Sequence, residues 1–197
     1  MMLSDLEQIQ SQSVEFEQYA TDGDLAARWL TDISTFGDLT EGCTVADLGS
    51  GNGVLGLGAI VKGAGRAILI EADKAACDVA QYNAEALGFA DSVDVIPATL
   101  GTDTINLDSA DLVISNPPWG RQTPKADRPF LETILSCGAP SHLMHSSEAT
   151  HIRPIFEGAG WSAERYGEAD FALPAAYSHH SRQRGSTRAA FWRLVPP

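Results

Sequence analysis

The run Ser115-Asn116-Pro117-Pro118-Trp119-Gly120 follows three apolar residues, Leu112, Val113 and Ile114. It is poor packing material, because two consecutive prolines neither extend a sheet ladder nor begin a helix interior. It is better material for chemistry. The Asn116 side-chain oxygen and the Pro117 carbonyl are two acceptors on a turn that the prolines stiffen. Two fixed acceptors can hold both hydrogens of a conjugated amine, on adenine or on a carboxamide, and leave its lone pair aimed at an electrophile. Trp119 offers a face for the planar group, and base–aromatic stacking is worth roughly 1–3 kcal/mol. Such a site works by orientation and needs no general base. The same residues also suit a stiff turn with a core tryptophan, so their neighbours must decide.

A second cluster occupies Asp47-Leu48-Gly49-Ser50-Gly51-Asn52-Gly53-Val54-Leu55-Gly56. Gly51, Gly53 and Gly56 satisfy the G-x-G-x-x-G dinucleotide pattern, a weak match in a chain with eighteen glycines. The alternative frame is Asp47-x-Gly49-x-Gly51-x-Gly53, the strand–loop–helix of an S-adenosylmethionine site. It fits the end of the strand better, because the turn must open directly after Leu48. Asp47 can face the ammonium of a methionine moiety, whereas it repels a pyrophosphate. Both frames expect a carboxylate about 20 residues further on, at the end of the second strand, to accept from ribose hydroxyls. Glu71 fills that place. A glycine turn beside a solvated glutamate is the bland reading, and the S-adenosylmethionine frame is favoured over it.

These side chains need elements to position them. Leu25, Ala26, Trp29, Leu30 and Ile33 share one helical face, with Thr21 and Asp24 read as a capping box. Short apolar runs then alternate with helical patterns. Strands are expected at 44–48, 66–71, 92–96, 110–115, 141–146, 161–171 and 188–195. Helices are expected from Val54, from Lys74 to Leu87, over Pro129–Leu135 and near 147–158. Such alternation means an α/β fold, a mostly parallel sheet with helices on both faces. Ligands in these sheets sit beyond the carboxyl ends of the strands, where Asn116 and Gly49 both fall.

With 197 residues and no internal repeat, one domain is expected. Cys43, Cys77 and Cys137 form no C-x-x-C pair, which argues against a disulfide framework or zinc site and for a reducing cytoplasm. The N-terminal residues lack a signal-peptide pattern, and no apolar run reaches the length of a membrane span. The net charge is −13, yet the last 27 residues hold four arginines and no carboxylate. That segment reads either as a hairpin leaning on acidic neighbours or as a local anion-contacting surface. The excess of acidic residues, with only three lysines, also suggests a halophile-like surface.

With both motifs in place, the chain resembles class I S-adenosylmethionine-dependent methyltransferases of the [DNS]PP[YFW] type. More closely, it resembles the methyltransferase-like 5 family, which methylates adenine N6 in small-subunit ribosomal RNA. The resemblance rests on Phe16-Glu17-Gln18-Tyr19-Ala20-Thr21, on the 45–59 glycine segment and on 113–120. It extends to 126–131, 143–147 and 173–184. It implies a doubly wound, Rossmann-like, seven-stranded sheet with an antiparallel last strand, in one domain over 1–197. Within that domain, 1–20 is a leader contributing to the cofactor pocket and 171–197 a basic C-terminal hairpin. Gln18, Thr21, Asp47, Gly49, Gly51, Asn52, Val54, Glu71, Thr99 and Leu100 then belong to the cofactor pocket. Asn116, Pro117, Pro118 and Trp119 form the catalytic loop, and Tyr19 borders it. His180, Arg182 and Arg184 are placed to hold RNA phosphates around an extruded adenine. The resemblance also implies a small zinc-binding methyltransferase activator protein as partner, bound at the sheet edge.

Ala20 stands where the family has proline, Glu71 where it has aspartate and Trp119 where it has phenylalanine. Thr99 replaces an aspartate that accepts from the cofactor's adenine amino group, so a nearby carboxylate such as Asp103 is expected to substitute. Two other functions compete. A protein glutamine-N5 methyltransferase carries a similar loop with tyrosine in the place of Trp119, together with an N-terminal substrate domain for which fewer than 45 residues leave no room. A non-catalytic protein keeping the cofactor fold is disfavoured by the intact Asn116-Pro117-Pro118.

Overall fold

The computed structural model describes residues 3–8, 21–120, 123–172 and 186–197. The elements are α1 (Gly23–Thr35), β1 (Thr44–Leu48), α2 (Val54–Val61), β2 (Arg66–Glu71), α3 (Lys74–Ala86), β3 (Val93–Pro97) and β4 (Leu112–Ser115). They continue with α4 (Arg128–Cys137), β5 (Ser141–Ser146), α5 (Ile152–Gly158), β6 (Ser162–Ala172) and β7 (Ser186–Val195). One seven-stranded sheet runs in the order β3-β2-β1-β4-β5-β7-β6. β1 to β5 pair in parallel, and β7 is antiparallel to both β5 and β6. This is the expected doubly wound sheet with its antiparallel last strand. Among the described residues no helix is long and apolar enough to cross a membrane.

The two-residue period of a strand sends alternate side chains to opposite faces. In β2, Ala67 and Leu69 join one core cluster while Ile68 and Ile70 join the other; β4 splits the same way, Leu112 and Ile114 against Val113. The first cluster packs against α1, α2 and α3, including the fully buried Trp29, Leu30 and Ile33, and the second against α4 and α5. Strand order reverses between β1 and β4, whose ends are paired as Leu48↔Ser115. A crevice opens at such a reversal, so the glycine turn and the Asn116 loop leave the sheet side by side.

Two local expectations are corrected. The cap of α1 is Asp22, whose carboxylate accepts from the backbone N–H of Asp24 and Leu25; Thr21 does not serve as the cap. A carboxylate adjacent to the first turn outcompetes a hydroxyl one residue further out, and Thr21 is freed for another partner. α5 begins at Ile152 rather than near 147. Residues 147–149 instead form a turn, in which the Ser147 N–H donates to Arg188 O and the Ala149 N–H to Ser146 O. Pro154 fixes that start, because proline is tolerated only in the first helical turn.

Candidate active site

The turn after β1 opens where the strand stops. The N–H groups of Gly49 and Ser50 both donate to Ile70 O, at 2.8 and 3.0 Å. Gly49 has φ +72°, and a Cβ there would lie 2.8 Å from the Phe130 ring, so the position needs glycine twice over. Glu71, at the end of β2, reaches back beneath this turn. Its Oε2 accepts from Gly51 N–H and its Oε1 from Asp73 N–H, both at 2.9 Å. A Cβ placed on Gly51 meets no atom of the described residues within 4 Å.

Asp47 is fully buried. Its Oδ2 accepts from Gly56 N–H at 2.9 Å, capping α2 from a neighbouring strand, because Gly53 has no side chain to do so. Its Oδ1 has no partner among the described residues. Burial pushes the carboxyl up to about 7, the Gly56 bond offsets part of that rise, and the Glu71 charge adds to it. An unpartnered buried carboxylate oxygen is costly unless a proton or a cation meets it. The ammonium of a methionine moiety fits that need. Together with the Glu71 carboxylate and the glycine turn, the donor and acceptor set fits S-adenosylmethionine.

Asn116 emerges from β4 beside this turn. Its Nδ2 donates to the Thr21 hydroxyl at 3.1 Å, across 95 residues of sequence. Its Oδ1 accepts from the Trp119 indole N–H at 3.2 Å. An indole N–H only donates, so the amide orientation is fixed: oxygen toward Trp119, nitrogen toward Thr21. Ser115 secures the root of the loop, its hydroxyl donating to Leu48 O at 2.9 Å. The expected open stacking face is not on display. Trp119 is 7% exposed, with its ring against Phe171 at 5.0 Å and His145 at 6.2 Å. A buried indole must place its N–H on an acceptor, and Asn116 Oδ1 is that acceptor.

Thr99 and Leu100 follow β3. The Thr99 N–H donates to Asp103 Oδ2 at 2.7 Å, which brings a carboxylate to the place where Thr99 lacks one. Val54 is buried at the start of α2. Asn52 is committed within the protein: its Nδ2 donates to Glu7 O at 3.1 Å and its Oδ1 accepts from Val54 N–H. Asn83 completes this anchor, exchanging bonds with Glu7 N–H and Glu7 O. The segment around Glu7 is thereby tied to the rim of the glycine turn. Gln18, Tyr19, His180, Arg182 and Arg184 lie outside the described residues. The other two arginines of the basic segment lean on acidic neighbours, Arg188 on Glu168 and Arg193 on Asp38.

Sequence reasoning missed Phe130 as a site residue. It sits on the first turn of α4 with its ring against Gly49, and Pro129 packs on Gly101 in the same way. Asp127, His145 and His151 were also missed. They converge behind Trp119, and no local spacing links them.

Over residues 31–173 the sequence matches the family described as Conserved hypothetical protein 95. It is 30% identical to the rRNA N(6)-adenosine-methyltransferase METTL5 of Danio rerio, over 98% of this chain and 95% of that one. It is 34% identical to the Uncharacterized protein MJ0284 of Methanocaldococcus jannaschii, over 93% of this chain and 86% of that one. Among solved structures, the proposed RNA methyltransferase PH1948 of Pyrococcus horikoshii matches with a TM-score of 0.86 at 30% identity. That match covers 98% of this chain and 94% of the other.

Proposed function

The chain belongs to the Conserved hypothetical protein 95 family and to the rRNA N(6)-adenosine-methyltransferases named METTL5, and from that premise we propose how its site acts and on what. It is an S-adenosylmethionine-dependent RNA (adenine-N6) methyltransferase, and its substrate is an unpaired adenine of small-subunit ribosomal RNA. The observation that carries the reading is Asn116, held by Thr21 at the end of β4 and next to the glycine turn.

When bound, S-adenosylmethionine supplies an electrophilic sulfonium methyl carbon. Asp47 Oδ1 would hold its ammonium, Glu71 its ribose hydroxyls, and Asp103 its adenine amino group. Asn116 Oδ1, which accepts from the Trp119 indole N–H, takes one N–H of the substrate amine. Thr21, accepting from Asn116 Nδ2, keeps that oxygen from rotating away. The Pro117 carbonyl takes the second N–H, and the lone pair then points toward the glycine turn. Positioning of this kind supplies the rate without a charged base. His180, Arg182 and Arg184 hold flanking phosphates in this reading, and Gln18 and Tyr19 complete the pocket.

A small zinc-binding activator at the sheet edge, in a cytoplasmic setting, belongs to the same proposal. β3 has one strand neighbour in the described sheet, β2, and an open groove runs beside it, lined by Ile68, Val93, Val95 and Ile96 together with the polar Arg66, Gln81, Asp94, Asn106 and Ser109. Tyr82 on the adjacent α3 is exposed. A singly paired edge is a surface that a partner strand can cover.

Asn116→Ala tests the site. Turnover on ribosomal RNA should fall at least 100-fold while cofactor affinity stays within about threefold. Cofactor affinity collapsing in parallel would show that Asn116 serves the cofactor and not the amine.

A further inference from the structure

Asp127 occupies the N-cap position of α4, yet its carboxylate makes no cap bond to the helix. An aspartate there ordinarily gains about 1 kcal/mol by accepting from the first-turn N–H groups. This one points instead to two imidazoles. Its Oδ2 accepts from His145 Nε2 at 3.1 Å and from His151 Nε2 at 2.5 Å. Burial alone raises the carboxyl, and the two histidine bonds overcome it and hold the group at about 2.

His145 lies near the end of β5, fully buried, with its Nδ1 unpartnered among the described residues. A buried ring nitrogen without a partner costs roughly 1–3 kcal/mol, so fold stability does not explain its use there. What the ring does touch is Trp119: the two planes lie 23° apart with centroids at 6.2 Å. His151 meets His145 edge-on at 5.2 Å from the outer side. Phe171 packs against Trp119 as well, with centroids at 5.0 Å and planes 45° apart. The chain from Asn116 to Asp127 is therefore pinned at both ends, by Thr21 at Asn116 and by the two histidines at Asp127. Three residues after Asp127, Phe130 rests against Gly49 of the cofactor turn. One carboxylate at the start of α4 thus sets both the backing of Trp119 and the wall of the cofactor turn.

We propose that Asp127, His145 and His151 form a positioning clamp for methyl transfer, in which Asp127 orients His145 and His145 holds Trp119, whose indole N–H in turn fixes Asn116 Oδ1, the acceptor for the substrate amine. The clamp rests on the reading of Asn116 and Trp119 given above. It touches neither substrate nor cofactor and acts through Trp119 and Phe130. Its effect therefore falls on turnover, since a displacement of about 1 Å at the reacting pair can cost about 100-fold.

The test compares Asp127→Asn, His145→Leu and His145→Gln with Asn116→Ala. Methyl transfer to small-subunit ribosomal RNA, cofactor Kd by calorimetry, melting temperature and the NMR signal of the Trp119 indole N–H are measured for each. Asp127→Asn and His145→Leu should lower kcat by 10- to 100-fold, with cofactor Kd within about threefold, and should shift the Trp119 signal. His145→Gln, whose amide N–H takes the place of Nε2–H, should recover most of the loss and restore the signal. If Asp127→Asn does not fold, the His145→Leu and His145→Gln pair carries the comparison. Turnover of His145→Leu within twofold of wild type, beside an inactive Asn116→Ala, overturns the clamp and leaves the site reading standing. A kcat loss that His145→Gln shares in full, with the Trp119 signal unmoved, overturns it too. Turnover surviving in Asn116→Ala overturns the reading on which the clamp rests.

Discussion

Cofactor binding should release a proton from Asp47. The carboxyl is raised from 3.8 to about 7, chiefly by burial, and its Oδ1 is unpartnered among the described residues. That displacement corresponds to roughly 4 kcal/mol between its two protonation states. The folded protein then holds this proton more tightly than the unfolded chain. The stabilising contribution is complete below pH 4 and disappears as the pH rises through about 7. An ammonium placed against Oδ1 reverses the preference, because it binds the ionised form. Apparent affinity for S-adenosylmethionine should therefore strengthen about tenfold per pH unit up to about 7, then level off. Between pH 5.5 and 7.0 the expected change in Kd is about 16-fold, below the range where most of the cofactor's own amino group titrates. Titration calorimetry in buffers of differing ionisation enthalpy reads both Kd and protons released. Two controls isolate the cause: Asp47→Asn should flatten the profile, and 5′-methylthioadenosine, which lacks the amino-acid moiety, should bind without pH dependence. A wild-type Kd constant within twofold over that range refutes the reasoning, as does an equal slope for 5′-methylthioadenosine.

Two further outcomes follow from named contacts. Asp103→Asn should weaken cofactor binding about tenfold by removing a charge-assisted acceptor, whereas Thr99→Ala, which keeps the backbone donor to Asp103, should change it less than twofold. Asp38→Asn removes the negative charge and one of the two acceptor oxygens shared by Arg193, bonded through Nε at 2.6 Å and an Nη at 2.9 Å, and by His142 at 2.9 Å. Urea unfolding at pH 7 should show a loss of about 2–3 kcal/mol. Asp38 is held below the ordinary carboxylate range, with its bonds to Arg193 and His142 outweighing burial, so its contribution is complete above about pH 4 and fades as the pH falls further. The gap between variant and wild type should therefore narrow in acid.

Much of this architecture was legible because it follows from local periodicity. The apolar faces of α1 and the strand–helix alternation put Gly49 and Asn116 at the ends of strands, and the strand order made those strands neighbours. Glu71 was legible because its distance from the turn is set by one helix and one strand. What escaped was long-range or competitive. Asp127 meets residues 18 and 24 positions away, on another strand and another helix, and nothing in its own neighbourhood distinguishes it from an ordinary cap. The bond from the Asn52 amide to Glu7 O joins residues 45 positions apart, which no local pattern announces. Trp119 was read as an open platform because composition does not show that Phe171 and His145 close on it. Asp22 displaced Thr21 as the helix cap in a contest between adjacent side chains, and Pro154 was a usable but unused signal for the start of α5.

The central claim concerns one atom. Incubation with methyl-labelled S-adenosylmethionine and small-subunit ribosomal RNA, followed by nucleoside analysis, identifies it directly. The predicted result is label in N6-methyladenosine at one stoichiometric site, absent with Asn116→Ala. Label in another nucleoside, or in a protein glutamine with none in RNA, would contradict the account.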